Sequence, residues 1–294
     1  MKYNYFLGGI TITSDIYYPE LLLSPHTPEA RLYYGDVPEH LESNKVDFPF
    51  IEANEHQYLL KLPGLGRYLV ENGDTIIIQK DGEMSNRDLE KQVLTSPFAV
   101  LSYQRGFIPF HAGVIIYKDK AVLIAGVSGA GKSAALASLN KSGYQVISDD
   151  ISNVKIVNGK AIVYPSFPRV MIWKDIARIL KEDVSNLEKL RDDLEKYFYP
   201  VENKSIDPVE ISNFILLITK ELTTPLNGLN KVNIFRENVF HPWMMHTFNK
   251  HIAISKDILF MPNTVNCSYL VNDKDKHEDH QKICLDIINS LDNA

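Results

Sequence analysis

The chain has 294 residues, of which 45% are hydrophobic and 23% are charged, a composition typical of a globular protein with a full core. Its formal net charge is −6 and it has no basic run, which argues against nucleic acid as the main partner. No apolar stretch approaches 18 residues and the first residues make a poor signal peptide, so we expect no membrane-spanning segment. The two cysteines, Cys267 and Cys284, form no C-x-x-C motif, which argues against a disulfide framework or a zinc site and favours a cytoplasmic protein.

Residues 1–85 are predicted to form a β-rich N-terminal domain. Short runs rich in Tyr, Ile, Leu and Val, among them YNYFLGG, ITITSD and HQYLLKL, are broken by Gly, Pro and Asn. Between them, the stretches SPHTPEA and PEHLESNKVDFP predict loops. The segment RYLVENGDTIIIQK predicts a hairpin that turns at Asn72-Gly73.

A helix is predicted over residues 86–105, as the connector into a second domain that covers residues 86–294. Ser85 is placed as the N-cap with Asp88 three residues later, and Gly106 lies just past the end. Pro97 makes a break inside this helix possible.

The second domain is predicted to mix strands and helices. FHAGVIIY and AVLIAGV predict strands joined by the turn KDK, a helix follows from Lys132 to about residue 142, and YQVIS predicts another strand. NVKIVNGKAIVY predicts a hairpin turning at Asn158-Gly159. Further along, helices are predicted in IWKDIARILK, SNLEKLRDDLEKYF, NIFRENVFHPWMMHTF and HEDHQKICLDIINSLDN, and strands in FILLIT and NCSYLV. The predicted fold class is therefore α/β with a β-rich front domain.

The segment GVSGAGKS, residues 126–133, matches the phosphate-binding pattern G-x-x-x-x-G-K-[ST]. Glycines let the backbone curl so that successive N–H groups face a phosphate, and the N-terminus of the following helix adds further donors. Lys132 is predicted to reach the β- and γ-phosphates of ATP, and the Ser133 hydroxyl to bind Mg²⁺. The alternative is a glycine-rich turn of chance composition. The residues predicted to contact the nucleotide are Gly126, Ser128, Gly129, Ala130, Gly131, Lys132, Ser133 and Ala134.

Two neighbouring carboxylates, Asp149 and Asp150, follow 17 and 18 residues after Lys132. They come at the end of the YQVIS strand, which we expect to lie next to the strand that precedes the loop, where open α/β sheets bind ligands. One carboxylate can accept a proton from an attacking hydroxyl while the other holds the metal. The alternative is that the pair only forms a turn or caps a helix.

Taken together, His111-Ala112-Gly113, the hairpin, GVSGAGKS and the run from Gly143 to Asp150 resemble the catalytic core of the HPr kinase/phosphorylase superfamily. The resemblance implies a serine kinase in which Asp149 is the catalytic base and His111 orients or tunes that base. Asp150 is then the carboxylate of the pair predicted to hold the metal. Lys132 and Ser133 keep their phosphate and Mg²⁺ roles.

The chain also departs from that family. YPSFPRVMIW stands in place of the Glu-Ile-Arg-Gly-Leu-Gly-like signature, so the reverse, phosphate-removing reaction is not implied. RYLVENGD, LSYQRGFIPFHAG and Pro-x-x-Pro-Arg-x-x-x-Trp resemble instead the HPr-kinase-like tailoring kinases of lasso-peptide biosynthesis. That resemblance implies an ATP- and Mg²⁺-dependent kinase acting on the C-terminal serine of a precursor peptide. A kinase of an HPr-like protein or a small metabolite, and a non-catalytic nucleotide-gated binding module, stay open.

Several basic residues are secondary candidates. Arg169 and Arg236 are possible substrate or transition-state arginines, with exposed surface positions as the alternatives, and Arg105 is a third option. His241 and His246 are predicted to be packing or surface residues, and His277 and His280 to lie at a solvated helix start. Homo-oligomers are compatible with this sequence.

Overall fold

In the computed structural model, which describes residues 2–167, 169–191, 194–201, 205–220, 226–272 and 280–293, the chain forms a nine-stranded sheet, an eight-stranded sheet and a two-stranded sheet with helices packed around them. The architecture is therefore of the mixed α/β class. None of the helices in these ranges is both long and apolar enough to cross a membrane.

The front of the chain builds the nine-stranded sheet, in the order β3-β1-β2-β4-β9-β8-β7-β6-β5. Its strands are β1 (Tyr3–Leu7), β2 (Ile10–Ser14), β3 (Leu22–Leu23), β4 (Ala30–Tyr34), β5 (Val46–Phe48), β6 (Ile51–Ala53), β7 (Gln57–Leu62), β8 (Gly66–Glu71) and β9 (Thr75–Lys80). The predicted hairpin between β8 and β9 turns at Asn72 and Gly73, with φ of 55° and 71°. The prediction of loop over residues 38–49 was wrong at β5, a mostly exposed edge strand of three residues, which is too short to show a periodic pattern.

Two helices, α1 (Asn86–Gln92) and α2 (Ser96–Gln104), replace the single predicted helix. The Ser85 hydroxyl accepts the Asp88 N–H at 3.0 Å, so the predicted N-cap is confirmed. The break falls just before Pro97, which lies in the first turn of α2, where a missing N–H costs no hydrogen bond.

One hydrophobic cluster runs from the front sheet through α2 into the second sheet. Tyr68, Phe98 and Phe214 are all fully buried members of this cluster. The link between β9 and α1 contains the predicted boundary at residue 85, and the division into two domains stays a prediction.

The remaining strands follow α2. They are β10 (Ile108–Phe110), β11 (Ala112–Tyr117), β12 (Lys120–Gly126), β13 (Val146–Ser148), β14 (Ser152–Val157), β15 (Lys160–Tyr164), β16 (Arg169–Trp173), β17 (Lys196–Pro200), β18 (Val209–Ile218) and β19 (Asn266–Val271). The eight-stranded sheet has the order β10-β14-β15-β18-β12-β11-β13, with β19 paired to β18, while β16 and β17 pair only with each other. The expectation that the aspartate strand lies next to the loop strand was wrong, because the tight turn after β11 places β11 between β12 and β13.

The helices after α2 are α3 (Lys132–Lys141), α4 (Lys174–Ile179), α5 (Gly228–Glu237), α6 (Trp243–Thr247), α7 (His251–Phe260) and α8 (His280–Asp292), with short 3₁₀ turns at Val184–Asn186 and Met261–Asn263. Helix α7 was not predicted from the sequence.

Two helix predictions in this half were wrong. Residues 185–198 end in strand β17, because Tyr197 and Phe198 are buried by pairing with β16, and this burial outweighs the helical propensity of the preceding charged residues. Residues 233–248 break between α5 and α6, where Val239 bridges to Phe110 and the Phe240 N–H donates to the Pro109 carbonyl at 2.7 Å.

Candidate active site

Three separate segments of the chain meet at one edge of the eight-stranded sheet. Strand β11 runs antiparallel to both neighbours, with Ala112 opposite Ala125 of β12 and Val114 opposite Ser148 of β13. The start of β11 therefore lies beside the ends of β12 and β13. This topology brings together His111 before β11, the glycine-rich loop (residues 126–133) after β12, and the aspartate pair after β13.

A cavity of about 640 Å³ opens at this edge, within the size range of small-molecule sites. Predicted site residues that line it are His111, Ser128, Gly129, Gly131, Lys132, Ser133, Ala134 and Asp150. The other lining residues are Met171, Ile172, Trp173, Asp175, Ile176, Ile179, Lys196 and Asn272. Gly126, Ala130, Asp149, Arg169 and Arg236 were also predicted as site residues, and they do not line it.

The glycine-rich loop takes a shape that its glycines permit. At Gly126, φ is 148° and an added Cβ would stand 2.5 Å from the Leu217 carbonyl oxygen of β18. At Gly131, φ is 96° and an added Cβ would stand 2.4 Å from the Asn272 amide nitrogen. Both positions therefore require glycine, and the loop delivers the chain into the first turn of α3, whose N–H groups have no partner within the helix.

Lys132, the first residue of α3, reaches back across the loop. Its ammonium donates to the Gly126 carbonyl oxygen at 2.7 Å, and the residue is only 8% exposed. Burial lowers the pKa of Lys132, while the charges of Asp150 and Asp149 oppose that shift. A buried ammonium held at the loop in this way suits an anionic ligand.

Asn272 contacts the glycine-rich loop through a hydrogen bond. It was not predicted as a site residue from the sequence. It follows β19 directly, its backbone N–H donates to the Ile218 carbonyl at 2.7 Å, and its side-chain amide donates to the Ala130 carbonyl at 2.7 Å. The available signal was a polar residue just past the end of NCSYLV, at the edge where ligands bind.

The turn after β13 points the two aspartates in different directions. The Ile151 N–H donates to the Asp149 carbonyl at 2.8 Å, and Asp150 between them has φ of 66°, an uncommon value for a residue with a side chain. Asp149 is 2% exposed, whereas the Asp150 side chain is 31% exposed. The turn therefore places Asp149 inside the protein and Asp150 in the cavity.

Each aspartate has its own partner. An Asp149 oxygen accepts the Met171 N–H at 2.8 Å, and burial, then the charge of Asp150, raises the pKa of Asp149 to about 6. The Asp150 Oδ1 lies 3.1 Å from the His111 Nε2. Burial opposes ionisation of Asp150, but the hydrogen bond and charge of His111 outweigh it and lower the pKa of Asp150.

This geometry corrects the expected pairing of His111 with Asp149. The side chain that His111 contacts is Asp150, because the turn at Asp150 directs only that carboxylate toward the start of β11. The catalytic roles predicted for the two aspartates stay predictions, and the contacts favour exchanging them.

A second wall of the cavity consists of side chains from residues 169–191 and 194–200, here called the insert. Its strands β16 and β17 pair Trp173 with Lys196, and the Lys196 ammonium lies 5.8 Å from the centre of the Trp173 ring. Trp173 and Ile179 of this wall are exposed apolar residues, at 52% and 39%. The cavity thus has a polar side at the loop and a largely apolar side at α4.

The predicted arginines lie away from the cavity. The Arg169 guanidinium contacts Glu188 at 2.5 Å and stacks over the Phe198 ring at 5.2 Å. Glu188 also accepts from Arg87 of α1 at 3.0 Å, so Arg169 belongs to a network that joins the insert to α1. Arg236 is exposed at the end of α5, and Arg105 pairs with Glu29.

His241 is a surface residue, one of the two predicted alternatives, and it lies near His111. Its ring is 4.4 Å from that of Phe240, which is 6.1 Å from that of His111. The residue is exposed, yet partial burial of the ring and the charge of His111 lower the pKa of His241. His246 instead stacks on His251 at 4.7 Å. The prediction for His277 lies outside the described residues, and so does the side chain of His280.

Oxygen ligands suited to Mg²⁺ are present on the loop side. The Ser133 hydroxyl and the Asp150 carboxylate both line the cavity. Among the described residues, no group of three or more His, Cys, Asp or Glu side chains could hold a metal ion. The donor set therefore fits an ion that keeps several ligands from phosphate and water.

Comparisons with known proteins give little further information. No protein-family model and no curated protein matches the chain. Among solved structures, the chain is similar to the Hpr(Ser) kinase/phosphatase from Coxiella burnetii, with 20% identity over 40% of this chain and 67% of that chain, at a TM-score of 0.27. A TM-score this low does not establish a shared fold.

Proposed function

We propose that this protein is an ATP- and Mg²⁺-dependent kinase that phosphorylates a serine hydroxyl of a peptide. One observation carries the proposal: a glycine-rich loop with its lysine and serine, and a histidine–carboxylate pair, line the same cavity. The loop supplies N–H donors and a positive charge for a phosphate chain. The histidine–carboxylate pair supplies a proton acceptor for an attacking hydroxyl.

The nucleotide would be held by both walls of the cavity. Backbone N–H groups of the loop and of the first turn of α3 would donate to phosphate oxygens, and Lys132 would supply a positive charge. The apolar surface of Trp173 and Ile176 suits the base or the ribose. Ser133 would ligate Mg²⁺, which neutralises charge on the phosphates when bound with the nucleotide.

Asp150 is the proposed proton acceptor. In the reaction, the acceptor oxygen bonds to the γ-phosphorus, the bond from that phosphorus to the bridging oxygen breaks, ADP leaves, and the hydroxyl proton passes to a carboxylate. Asp150 faces the cavity and is kept ionised by His111, whereas Asp149 is buried and bonded to the insert. His111 is then a positioning residue. The predicted Mg²⁺ role of Asp150 is the competing assignment.

The acceptor is proposed from sequence resemblance alone. The similarity to lasso-peptide tailoring kinases favours the C-terminal serine of a precursor peptide. A kinase of an HPr-like protein or of a small metabolite is the alternative that uses the same site.

The test uses labelled ATP and two synthetic precursor peptides that are identical except for a C-terminal Ser or Ala. We expect label only on the Ser peptide, and dependence on Mg²⁺. HPr-like proteins and hydroxylated metabolites form the second arm. If ATP·Mg²⁺ binds in a calorimetric titration but no acceptor is labelled, the result favours a non-catalytic, nucleotide-gated binding module. Failure to bind ATP·Mg²⁺ would refute both.

A further inference from the structure

Lys196 occupies a place in the cavity that the roles above do not use. It is half-buried on β17, opposite Trp173 of β16. The same hairpin supplies the Met171 N–H to Asp149, so the position of Lys196 is fixed relative to the aspartate turn. Its charge acts on the pKa of Asp149, Asp150 and Lys132, which places it within the charged group around the cavity.

The ammonium of Lys196 differs from those of Lys174 and Lys189, two other lysines of the insert, which have carboxylate partners. Lys174 and Lys189 bind Glu195 at 2.8 Å and 2.7 Å. Within the described part of the chain, the Lys196 ammonium has no ion pair within 4.0 Å and no hydrogen bond, and its contact is with the face of Trp173. A half-buried ammonium that lines an anion site without a carboxylate partner is available to a ligand.

Phosphoryl transfer places charge on the oxygens of the transferred group, and a second cation often stabilises it. Neither Arg169 nor Arg236 lines the cavity, and Lys196 does so from the insert wall. We propose that Lys196 is the second phosphate-contacting cation of the site, and that it contacts the γ-phosphoryl oxygens. This inference rests on the proposed function.

A γ-phosphoryl contact predicts a difference between two nucleotides. ADP lacks the γ-phosphoryl group, so Lys196→Met should weaken ATP·Mg²⁺ binding about tenfold or more while leaving ADP·Mg²⁺ binding within about twofold. The transfer rate at saturating ATP should fall about 10²–10³-fold, as for other lost transition-state contacts. Lys196→Arg keeps the charge and should recover most of the binding of ATP. Lys174→Met is the matched control on the same insert and should resemble the wild type.

Calorimetric titration with ATP·Mg²⁺ and ADP·Mg²⁺ needs no acceptor, and thermal melting checks that each variant folds. Equal weakening of ATP and ADP in Lys196→Met, or wild-type affinity for both, overturns the γ-phosphoryl contact and leaves the proposed kinase standing. Absence of ATP binding by the wild type removes the proposed function and this inference together. A selective loss for ATP without any labelled acceptor keeps the contact and removes the kinase.

Discussion

The loop wall and the insert wall of the cavity are built from the chain in different ways. Residues 126–134 form the loop wall from one continuous stretch, where glycines shape the backbone and Lys132 follows at a fixed spacing. The insert wall combines β16, α4 and β17, and Trp173 meets Lys196 only because the two strands pair. The first wall offers backbone N–H groups and the second offers apolar surface and one ammonium.

The aspartate turn joins these two walls. Asp150 faces the loop side and pairs with His111, while Asp149 is buried and bonded to the Met171 N–H of the insert. Two adjacent carboxylates thus acquire opposite pKa shifts from their different neighbours. Two carboxylates that are adjacent in sequence can therefore have different chemical roles, because a single turn decides which of them faces the cavity.

The largest effect is expected at Asp150. Asp150→Asn keeps the shape and tolerates the positive φ, but it removes the charge that receives the hydroxyl proton. Transfer should fall about 10²–10⁴-fold with little change in ATP affinity. Initial rates at saturating ATP across a Mg²⁺ series measure it, with Asp119→Asn as the matched control, because Asp119 is an exposed aspartate with a similar positive φ of 60° that does not line the cavity. Rescue by excess Mg²⁺ would instead assign Asp150 to the metal.

A second large effect is expected at Lys132. Lys132→Ala removes the cation that spans the loop, so ATP·Mg²⁺ affinity should drop and transfer should fall about 10²–10³-fold. Calorimetric titration and rate measurements test it. Lys118→Ala, in the exposed turn between β11 and β12, is the control and should behave as wild type. Unchanged affinity and rate at Lys132 would rule out phosphate binding by the loop.

The loop wall could be predicted because its determinants are local. Hairpin turns such as Asn72-Gly73, the Ser85 cap and the glycine spacing each depend on residues within a few positions, and the structure contains them. Strand β19 was also predicted, since NCSYLV is a short, largely apolar run.

The insert wall could not be predicted because its determinants are distant in sequence. Residues 185–198 carry many charged helix formers, and only pairing with β16 makes Tyr197 and Phe198 a strand. Because a helix was predicted over residues 185–198, Lys196 was not recognised as a residue of the site. The pairing of His111 with Asp150 was missed because a turn with φ of 66° at an aspartate has no reliable sequence signature.

A moderate effect on stability is expected at Asp149. Its pKa is raised from 3.8 to about 6, so between these values the folded protein holds a proton that the unfolded chain has released. Wild-type stability therefore falls as pH rises through this window. Asp149→Asn should gain stability relative to wild type, by about 1 kcal/mol at pH 4.5 and by up to about 3 kcal/mol at pH 7.5. Chemical denaturation at both pH values measures this gain.

The control for that measurement is Asp150, whose pKa shift has the opposite sign. The pKa of Asp150 is lowered in the folded protein, so its charge stabilises above the unfolded value and Asp150→Asn should lose stability at neutral pH. If Asp149→Asn is less stable than wild type at pH 7.5, the buried Asp149 carboxylate does not destabilise the folded protein, and this prediction is wrong.

The smallest effect is expected at Asn272, which holds the loop wall from outside its own sequence. Its buried amide donates to the Ala130 carbonyl, and its backbone is fixed by the Ile218 carbonyl of β18. Asn272→Ala leaves the Ala130 carbonyl without this donor, at a cost of about 1–3 kcal/mol, and frees space beside Gly131. The loop must be ordered before it can bind phosphate. The variant should therefore also bind ATP more weakly, by about tenfold. Thermal melting and calorimetric titration separate the two contributions, and Asn266→Ala at the exposed start of β19 controls for a change of asparagine on the same strand. A variant that melts lower yet binds ATP as tightly as wild type would show that the glycines alone, and not the distant strand, set the shape of the loop.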